Sequence, residues 1–304
     1  MDGILAVWKP EGWTSHDVVA KVRRILKMKR IGHAGTLDPM VTGVLPLCLG
    51  RATRVVEYVQ ERPKAYEAVL QLGIATDTED LTGTVIEQQS SVDVTEFDVR
   101  EALKRFEGEI EQIPPMYSAV KIEGKRLYEL AREGKTVERK PRLVTIHKIE
   151  LIDAQLELEH PKISFSVVCS KGTYIRTLCV DIGKALGVPA AMAHLTRTMS
   201  GGITKESCLT LEQIEQLQQS GTLSEHLIAA DEAITHLERA EVPVSIGRLA
   251  LQGQKVGLEH AGIRALDSEA GKLIRLYNDD NSFLGIFQID TEAAVFKPVK
   301  VFSA

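Results

Sequence analysis

The spacing of apolar residues along the chain predicts alternating strands and helices. Short apolar or alternating runs predict strands at 4–10, 66–72, 83–86, 143–152, 163–170, 272–278, 284–290 and 296–302. Apolar residues at helical spacing, several preceded by capping residues, predict helices at 15–26, 51–60, 95–106, 171–187 and 210–219. Ser15 is the predicted N-cap of the first helix.

Three segments interrupt this pattern. Residues 32–43 (GHAGTLDPMVTG) are rich in glycine and polar groups, which is typical of a loop that holds functional side chains. Residues 113–134 begin with Pro-Pro and continue as a basic stretch with two tyrosines, which predicts either a projecting hairpin or a loop followed by a helix. Residues 194–198 (HLTRT) are consistent with a polar loop around a core leucine. Beyond about residue 240 the pattern becomes short β-like runs, which indicates a small separate domain.

Composition narrows the class of protein. The chain has 304 residues, 44% of them hydrophobic, and its four cysteines are scattered, which argues against structural zinc and disulfides. No apolar run is long enough for a membrane helix, and the N-terminus lacks the features of a signal peptide. We therefore expect a cytoplasmic protein.

The net charge of −5 conceals strong local differences. Residues 1–64 carry 11 Lys and Arg against 6 Asp and Glu, and residues 117–142 carry 8 against 4. Residues 65–116 carry only 3 against 12. The two basic segments suit a surface that follows phosphates, but charge alone favours the ordinary explanation that they are solvated faces.

Four elements carry candidate chemistry, and each also has an ordinary explanation. Asp38 is either a turn former or a nucleophile or base, since no spacing typical of metal ligands accompanies it. Arg176 lies where a helix begins and can pair with a carboxylate or a phosphate, or be merely exposed. Tyr66, at the start of a strand, is either core or a ligand platform, and the HLTRT segment is either structural or part of a site.

Taken together, the motifs resemble the TruB family of tRNA pseudouridine synthases. The resemblance covers about two thirds of the chain, and its most specific part is the GTLDP sequence. It is carried, in chain order, by WKPEGWTSHDVV, GHAGTLDPMVTG, IPPMYSAVKIEGKRLYELAREG, KGTYIRTL and HLTRT.

The resemblance implies an α+β fold with a mixed, mainly antiparallel sheet. It implies a catalytic domain at 1–240 with a basic, RNA-clamping insertion at about 117–140, and a small β-rich, PUA-like RNA-binding domain at 242–304. The implied activity is isomerisation of uridine 55 in the T-loop of tRNA, with flipping of the base and without a cofactor or metal. We expect the chain to act as a monomer without an obligatory protein partner.

The resemblance also assigns roles to individual residues. Asp38 is the nucleophile, Arg176 pairs with it, and Tyr174 is a candidate base for removing a proton. The implied substrate contacts are Tyr66 stacking on the uracil, Leu195 walling the pocket, His33 touching RNA beside the flipped nucleotide, and Lys64 and Lys9 in the RNA-binding set.

The chemistry fits a carboxylate that attacks either C1′ of the ribose or C6 of the uracil, and in both routes Asp38 must be ionised. The acidic stretch 65–116 is expected to face away from RNA, except where TDTED lines the cleft. Two alternatives remain. A non-catalytic RNA-binding or RNA-folding protein needs the basic segments but not Asp38, whereas a nucleoside N-glycosidase needs neither the insertion nor the C-terminal domain.

Overall fold

The computed structural model describes residues 1–122, 124–135 and 137–303. Glu123 and Thr136, which fall within the predicted basic insertion, and Ala304 lie outside the described residues. The strands are β1 Gly3–Lys9, β2 Ile31–His33, β3 Thr42–Leu49, β4 Lys64–Leu72, β5 Ile74–Thr76, β6 Val85–Gln88, β7 Gly108–Gln112, β8 Lys121–Ile122, β9 Lys125–Arg126, β10 Arg142–Gln155, β11 Lys162–Cys169, β12 Ala190–Ser200, β13 Ile203–Thr204, β14 Glu238–Val242, β15 Val256–Gly257, β16 Leu273–Asn278, β17 Phe283–Asp290 and β18 Val295–Val301. The helices are α1 Ser15–Leu26, α2 Val56–Glu61, α3 Glu96–Lys104, α4 Leu127–Arg132, α5 Ile175–Leu186, α6 Leu211–Ser220 and α7 Val244–Leu251.

One large sheet organises the N-terminal part of the molecule. Within the described residues its main path is β1-β3-β12-β4-β11-β10-β7, with β2 and β13 attached at the side. All its pairings are antiparallel except the short parallel contact of β12 with β3. The expected mixed, mainly antiparallel α+β fold is therefore confirmed.

The helices begin where side chains satisfy free amides of the first turn. Thr95 with Asp98 and Thr210 with Gln213 form the predicted capping boxes of α3 and α6. The N-cap of α1 is Thr14 rather than the predicted Ser15. The prediction was wrong by one residue because the Ser15 hydroxyl contacts a loop 22 residues away instead of its own helix.

The segment 194–198 is a strand, not the polar loop predicted from sequence. It lies in the middle of β12, which pairs with β4 on one side and with β3 on the other. Its polar residues misled the prediction, because a buried arginine there binds backbone groups of a neighbouring loop. By contrast, 113–134 does form a loop followed by a short hairpin, β8–β9, and a helix, α4.

The C-terminal part forms a second sheet in the order β14-β16-β17-β18-β15. Because β14 starts at Glu238, this sheet begins slightly before the predicted domain boundary. Its Ile286 joins a buried cluster with apolar residues of β1, β3 and the turn after β3, and Phe283 and Phe302 pack against that cluster. The second sheet is thus packed on the first part of the molecule. No helix among the described residues is long and apolar enough to cross a membrane.

Candidate active site

Asp38 lies in the loop between β2 and β3 and forms an ion pair with Arg176 of α5. The distance from the Arg176 guanidinium to the Asp38 carboxylate is 3.0 Å. The arginine side chain is only 7% exposed, whereas that of Asp38 is 48% exposed. A buried cation therefore orients a carboxylate whose other side is open to a ligand. The sequence places these two residues 138 positions apart, and the fold brings them together as the resemblance implies.

Arg176 also connects Asp38 to two other segments. Its guanidinium donates to the main-chain oxygen of Tyr117 at 2.7 Å and to that of Thr78 at 3.1 Å. The Glu79 carboxylate accepts from the Thr177 hydroxyl at 2.6 Å, and burial raises the pKa of Glu79. The TDTED segment therefore lies beside the catalytic candidate, as expected from sequence, and so does the start of the basic insertion.

Arg197 of β12 holds the loop that carries Asp38 by donating hydrogen bonds to main-chain oxygens. Arg197 is 1% exposed and donates to the main-chain oxygens of Val44 at 2.8 Å and Gly35 at 3.1 Å. Gly43 has a φ of +117°, and a Cβ there would lie 2.2 Å from the Arg197 oxygen, so only glycine fits. The Ser15 hydroxyl completes the support by accepting from the Leu37 amide at 2.8 Å.

Lys9 does not occupy an RNA-accessible position, contrary to the prediction from sequence. Its side chain is fully buried, and its ammonium donates to the oxygens of Pro10, Trp13 and Pro39 at 2.8, 2.5 and 3.0 Å. Burial lowers the pKa of Lys9 to about 8, against the opposing effect of the nearby Asp38 charge. Because all three of its donor hydrogens are used on the backbone, Lys9 supports the chain on either side of the site.

Lys64 is a second buried lysine that was expected to bind RNA. It is 6% exposed, and its ammonium donates to the oxygens of Gln60 and, at 2.7 Å, Arg62. Burial lowers the pKa of Lys64 to about 8, with the Arg197 charge acting in the same direction. Like Lys9, Lys64 therefore binds main-chain oxygens in this structure, here those of a helix end and the turn after it.

Tyr66 and Leu195 occupy neighbouring strands beside this loop. Tyr66 lies opposite Arg197 across the β4–β12 pair, and Leu195 lies opposite Ala68. The Tyr66 ring is half-buried, and burial raises the pKa of its hydroxyl. Leu195 is 7% exposed and belongs to the main core, against which Tyr66 packs. The ring is thus available from one side and supported by apolar residues on the other.

Tyr174, the candidate base, is the residue that precedes α5. Its ring is half-buried, and its main chain is held by the side-chain amide of Gln112. Gln112 accepts from the Tyr174 N–H at 2.7 Å and donates to the Tyr174 oxygen at 3.1 Å. Gln112 therefore holds the main chain of Tyr174, two residues before Arg176.

His33 ends β2, five residues before Asp38. It is half-buried, and burial lowers its pKa, with the Arg197 guanidinium adding to the effect. Its Nδ1 atom is buried and has no hydrogen-bond partner among the described residues. His33 therefore lies at the edge of the site with an unsatisfied polar atom.

Sequence reasoning did not assign the supporting roles of Ser15, Gln112 and Arg197, although it named Ser15 as an N-cap and singled out the HLTRT segment that contains Arg197. Each is polar and buried, and each binds main-chain atoms rather than other side chains. The available signal was a polar residue on the apolar face of a strand or helix, but only the tertiary fold identifies its partner.

Other Lys and Arg side chains near the site differ from Lys9, Lys64 and Arg197 because they are exposed. Exposed Lys and Arg residues lie on α1 and the turn after it, and on the basic insertion. In the insertion, Tyr128 is flanked by Arg126 and Arg132, whose guanidinium carbons lie 5.8 and 5.4 Å from the ring centre. Leu127 and Leu130 anchor α4 by burial. Several of these cations also have partners within the insertion: Lys125 and Lys135 pair with Glu133, and Arg126 donates to the Tyr128 hydroxyl.

Two cavities lie away from Asp38. One, of about 210 Å³, is lined by residues of the first part of the molecule and by Phe283 and Phe302 of the second. The other, of about 510 Å³, lies between α3 and the end of α5. Among the described residues, no group of three or more His, Cys, Asp or Glu is placed to hold a metal ion.

Comparison with known proteins places these features in a family. The TruB family pseudouridylate synthase N-terminal domain matches residues 23–175, and the tRNA pseudouridylate synthase B C-terminal domain matches residues 176–240. A tRNA pseudouridine synthase B of Bacillus subtilis is 42% identical over 99% of this chain and 97% of its own. One of Bacillus pumilus is 50% identical over 80% of this chain and 79% of its own.

Solved structures agree with the sequence comparisons. A chain in an H/ACA RNP bound to a substrate RNA containing 2′-deoxyuridine superimposes with a TM-score of 0.75 and 27% identity, covering 99% of this chain and 85% of that one. A chain in a Cbf5-Nop10-Gar1 complex gives 0.74 and 29%, covering 99% and 84%. This chain therefore belongs to the TruB family of pseudouridylate synthases, which are isomerases.

Proposed function

We propose that this chain converts uridine 55 in the T-loop of tRNA to pseudouridine, with Asp38 as the nucleophile. The observation that carries the proposal is the Asp38–Arg176 pair, in which a buried guanidinium holds a half-exposed carboxylate. The choice of tRNA rests on the names of relatives that are 42–50% identical.

The reaction breaks the C1′–N1 bond, turns the base and forms a C1′–C5 bond. C5 then loses a proton and N1 gains one, and the bond that Asp38 makes to the substrate is broken again, so that the product is an isomer of the uridine and the carboxylate is regenerated. Asp38 attacks C1′ or C6, and Arg176 keeps the carboxylate aimed at the substrate. Tyr66 stacks on the uracil against the Leu195 wall while the base turns. Tyr174, two residues before Arg176, is the candidate acceptor for the C5 proton.

The target base must leave its stack before Asp38 can reach it, at a cost of a few kcal/mol. Phosphate contacts from the exposed cations of α1 and the basic insertion at about 117–140 offset that cost. His33, at the edge of the site, lies beside the flipped nucleotide. We propose residues 242–304 as a PUA-like RNA-binding domain, and a chain that acts as a monomer without a protein partner.

The test is base-resolved detection of pseudouridine in an unmodified tRNA transcript incubated with the purified chain. Wild type is expected to convert one T-loop uridine without metal, nucleotide or second protein. Asp38→Asn should be slower by at least about 10³-fold, because an amide is not a comparable nucleophile. Asp153→Asn, at an exposed position of β10, is the matched control and should match wild type.

Three results would contradict the proposal in different ways. Conversion by Asp38→Asn at the wild-type rate would remove Asp38 as the nucleophile. Conversion of a uridine outside the T-loop would change the substrate position. Binding of tRNA by wild type with no conversion would favour the non-catalytic RNA-binding function instead.

A further inference from the structure

The Gln112 side chain makes an unusual pair of hydrogen bonds to a single residue. It is the last residue of β7 and is 2% exposed. Its amide accepts from the N–H and donates to the C=O of Tyr174. A side chain that binds the N–H and the C=O of one residue holds the peptide groups on both sides of that residue, rather than merely filling space.

The start of α5 depends on this contact. Tyr174 occupies the N-cap position, but its side chain makes no capping hydrogen bond, so the helix has no cap of its own there. Arg176 lies only two residues further and reaches Asp38 with its guanidinium. Because a side chain follows its backbone, a small rotation at Tyr174 moves both the tyrosine ring and the arginine.

Gln112 also stands between the site and the basic insertion. After Gln112 the chain enters the segment in which the Tyr117 oxygen accepts from Arg176. β7 is at the end of the sheet path and is held there by its pairing with β10. Its last residue is therefore the point at which the insertion and the catalytic helix are connected to the sheet.

We propose that Gln112 is a positioning residue for the isomerisation, an inference that rests on the proposed function. It acts through Tyr174 and Arg176 and does not touch the substrate. Its amide keeps the first turn of α5 in place while the insertion contacts RNA, so that the guanidinium of Arg176 stays within reach of Asp38.

The experiment measures single-turnover pseudouridine formation and tRNA binding for Gln112→Leu and Gln112→Met. Both variants replace the amide by an apolar side chain of similar size at the buried position and lose both hydrogen bonds. We expect the rate at saturating enzyme to fall about ten- to hundredfold, because displacement of reacting groups by about 1 Å has effects of this size. The Kd for tRNA should stay within about twofold, since no phosphate contact is lost.

The matched control is Gln89→Leu, which removes a similar amide-to-carbonyl bond to Ser91 in the acidic stretch that is expected to face away from RNA, and it should leave the rate unchanged. Thermal unfolding of each variant accompanies the kinetics. A wild-type rate in either folded Gln112 variant would overturn the inference. So would a parallel loss of rate, tRNA binding and melting temperature in both variants, since that marks a purely structural role. Failure of wild type itself to convert any uridine would instead overturn the proposed function and this inference with it.

Discussion

The molecule uses basic residues in two contrasting regions. In the interior, Lys9, Lys64 and Arg197 are almost completely buried and donate to main-chain oxygens, which for Lys9 and Arg197 include those of the Asp38 loop. On α1 and the basic insertion, Lys and Arg are exposed. The buried cations determine the shape of the site, and the exposed ones are available to a polyanion. A count of charges therefore does not indicate function until each charge has been placed in the fold.

Removal of an interior cation should have the largest effect. Arg197→Met leaves main-chain oxygens of the Asp38 loop without donors in a buried place. We expect the free energy of unfolding to fall by about 3 kcal/mol or more, since each unsatisfied buried group costs about 1–3 kcal/mol. Denaturant unfolding measures this. Arg24→Met, at an exposed position of α1, should change stability by less than about 0.5 kcal/mol. Equal losses in the free energy of unfolding for Arg197→Met and Arg24→Met would show that buried and exposed cations do not differ in their contribution to stability.

Substitution of Arg176 tests whether a buried cation is needed for activity. Lysine at this position keeps the charge but lacks the planar guanidinium, in which one terminal nitrogen binds Asp38 and the Tyr117 oxygen and the other binds the Thr78 oxygen. We expect Arg176→Lys to lower the single-turnover rate about a hundredfold while tRNA affinity stays within about threefold. Lys184→Arg, on the exposed face of α5, serves as the control. A rate near that of wild type would show that the geometry of the guanidinium is unimportant.

The buried lysines should affect how the free energy of unfolding depends on pH. Burial lowers the pKa of Lys64 from 10.5 to about 8. Between these values the unfolded chain retains a proton that the folded chain has released, so Lys64 makes the free energy of unfolding rise with pH. Lys64→Met should therefore reduce the slope between pH 8 and 10, by up to about 1.4 kcal/mol per pH unit.

Urea unfolding at pH 8, 9 and 10 measures these slopes. Lys125→Met, at an exposed position, should leave the slope unchanged. The same slope for wild type and Lys64→Met would mean that the buried ammonium is not destabilised by its surroundings.

Exposed cations should have the smallest individual effects, and these should appear in binding alone. Arg132→Ala, next to Tyr128, is expected to weaken tRNA binding a few-fold and to reduce the slope of log K against log salt by slightly under one. Lys104→Ala, on α3 in the acidic stretch, should change neither quantity. A salt slope that is unchanged in Arg132→Ala would remove this arginine from the phosphate-binding surface.

The part of the fold that depends on local signals could be read from the sequence. Capping boxes and apolar spacing located α3 and α6, and alternation located β10 and β11. The strand β12 was missed because its Arg197 and neighbouring threonines have the composition of a loop. A strand that buries an arginine is stable only because another segment supplies carbonyls, and local sequence does not contain that information.

The same limit applies to the candidate site. The Asp38–Arg176 pairing could be anticipated, because the motifs that contain both residues resemble those of a known family. The burial of Lys9 and Lys64 could not, because a lysine is ordinarily exposed and nothing in its neighbours shows that backbone oxygens converge on it. The sequence therefore predicted the charged groups that pair with another side chain, such as Asp38 and Arg176, better than those that bind main-chain oxygens, such as Lys9 and Lys64.

The loop around Asp38 is held through its main chain, and this has a consequence for its capacity to change. Thr36 and Pro39 contribute carbonyl oxygens to Arg197 and Lys9, and the Thr36 side chain is exposed. The path of the loop thus does not depend on which side chains stand at Thr36 and Met40. A laboratory library randomised at these two positions should therefore retain many folded members. Substrate preference could then be altered at the rim of the site without changing the hydrogen bonds that hold the loop.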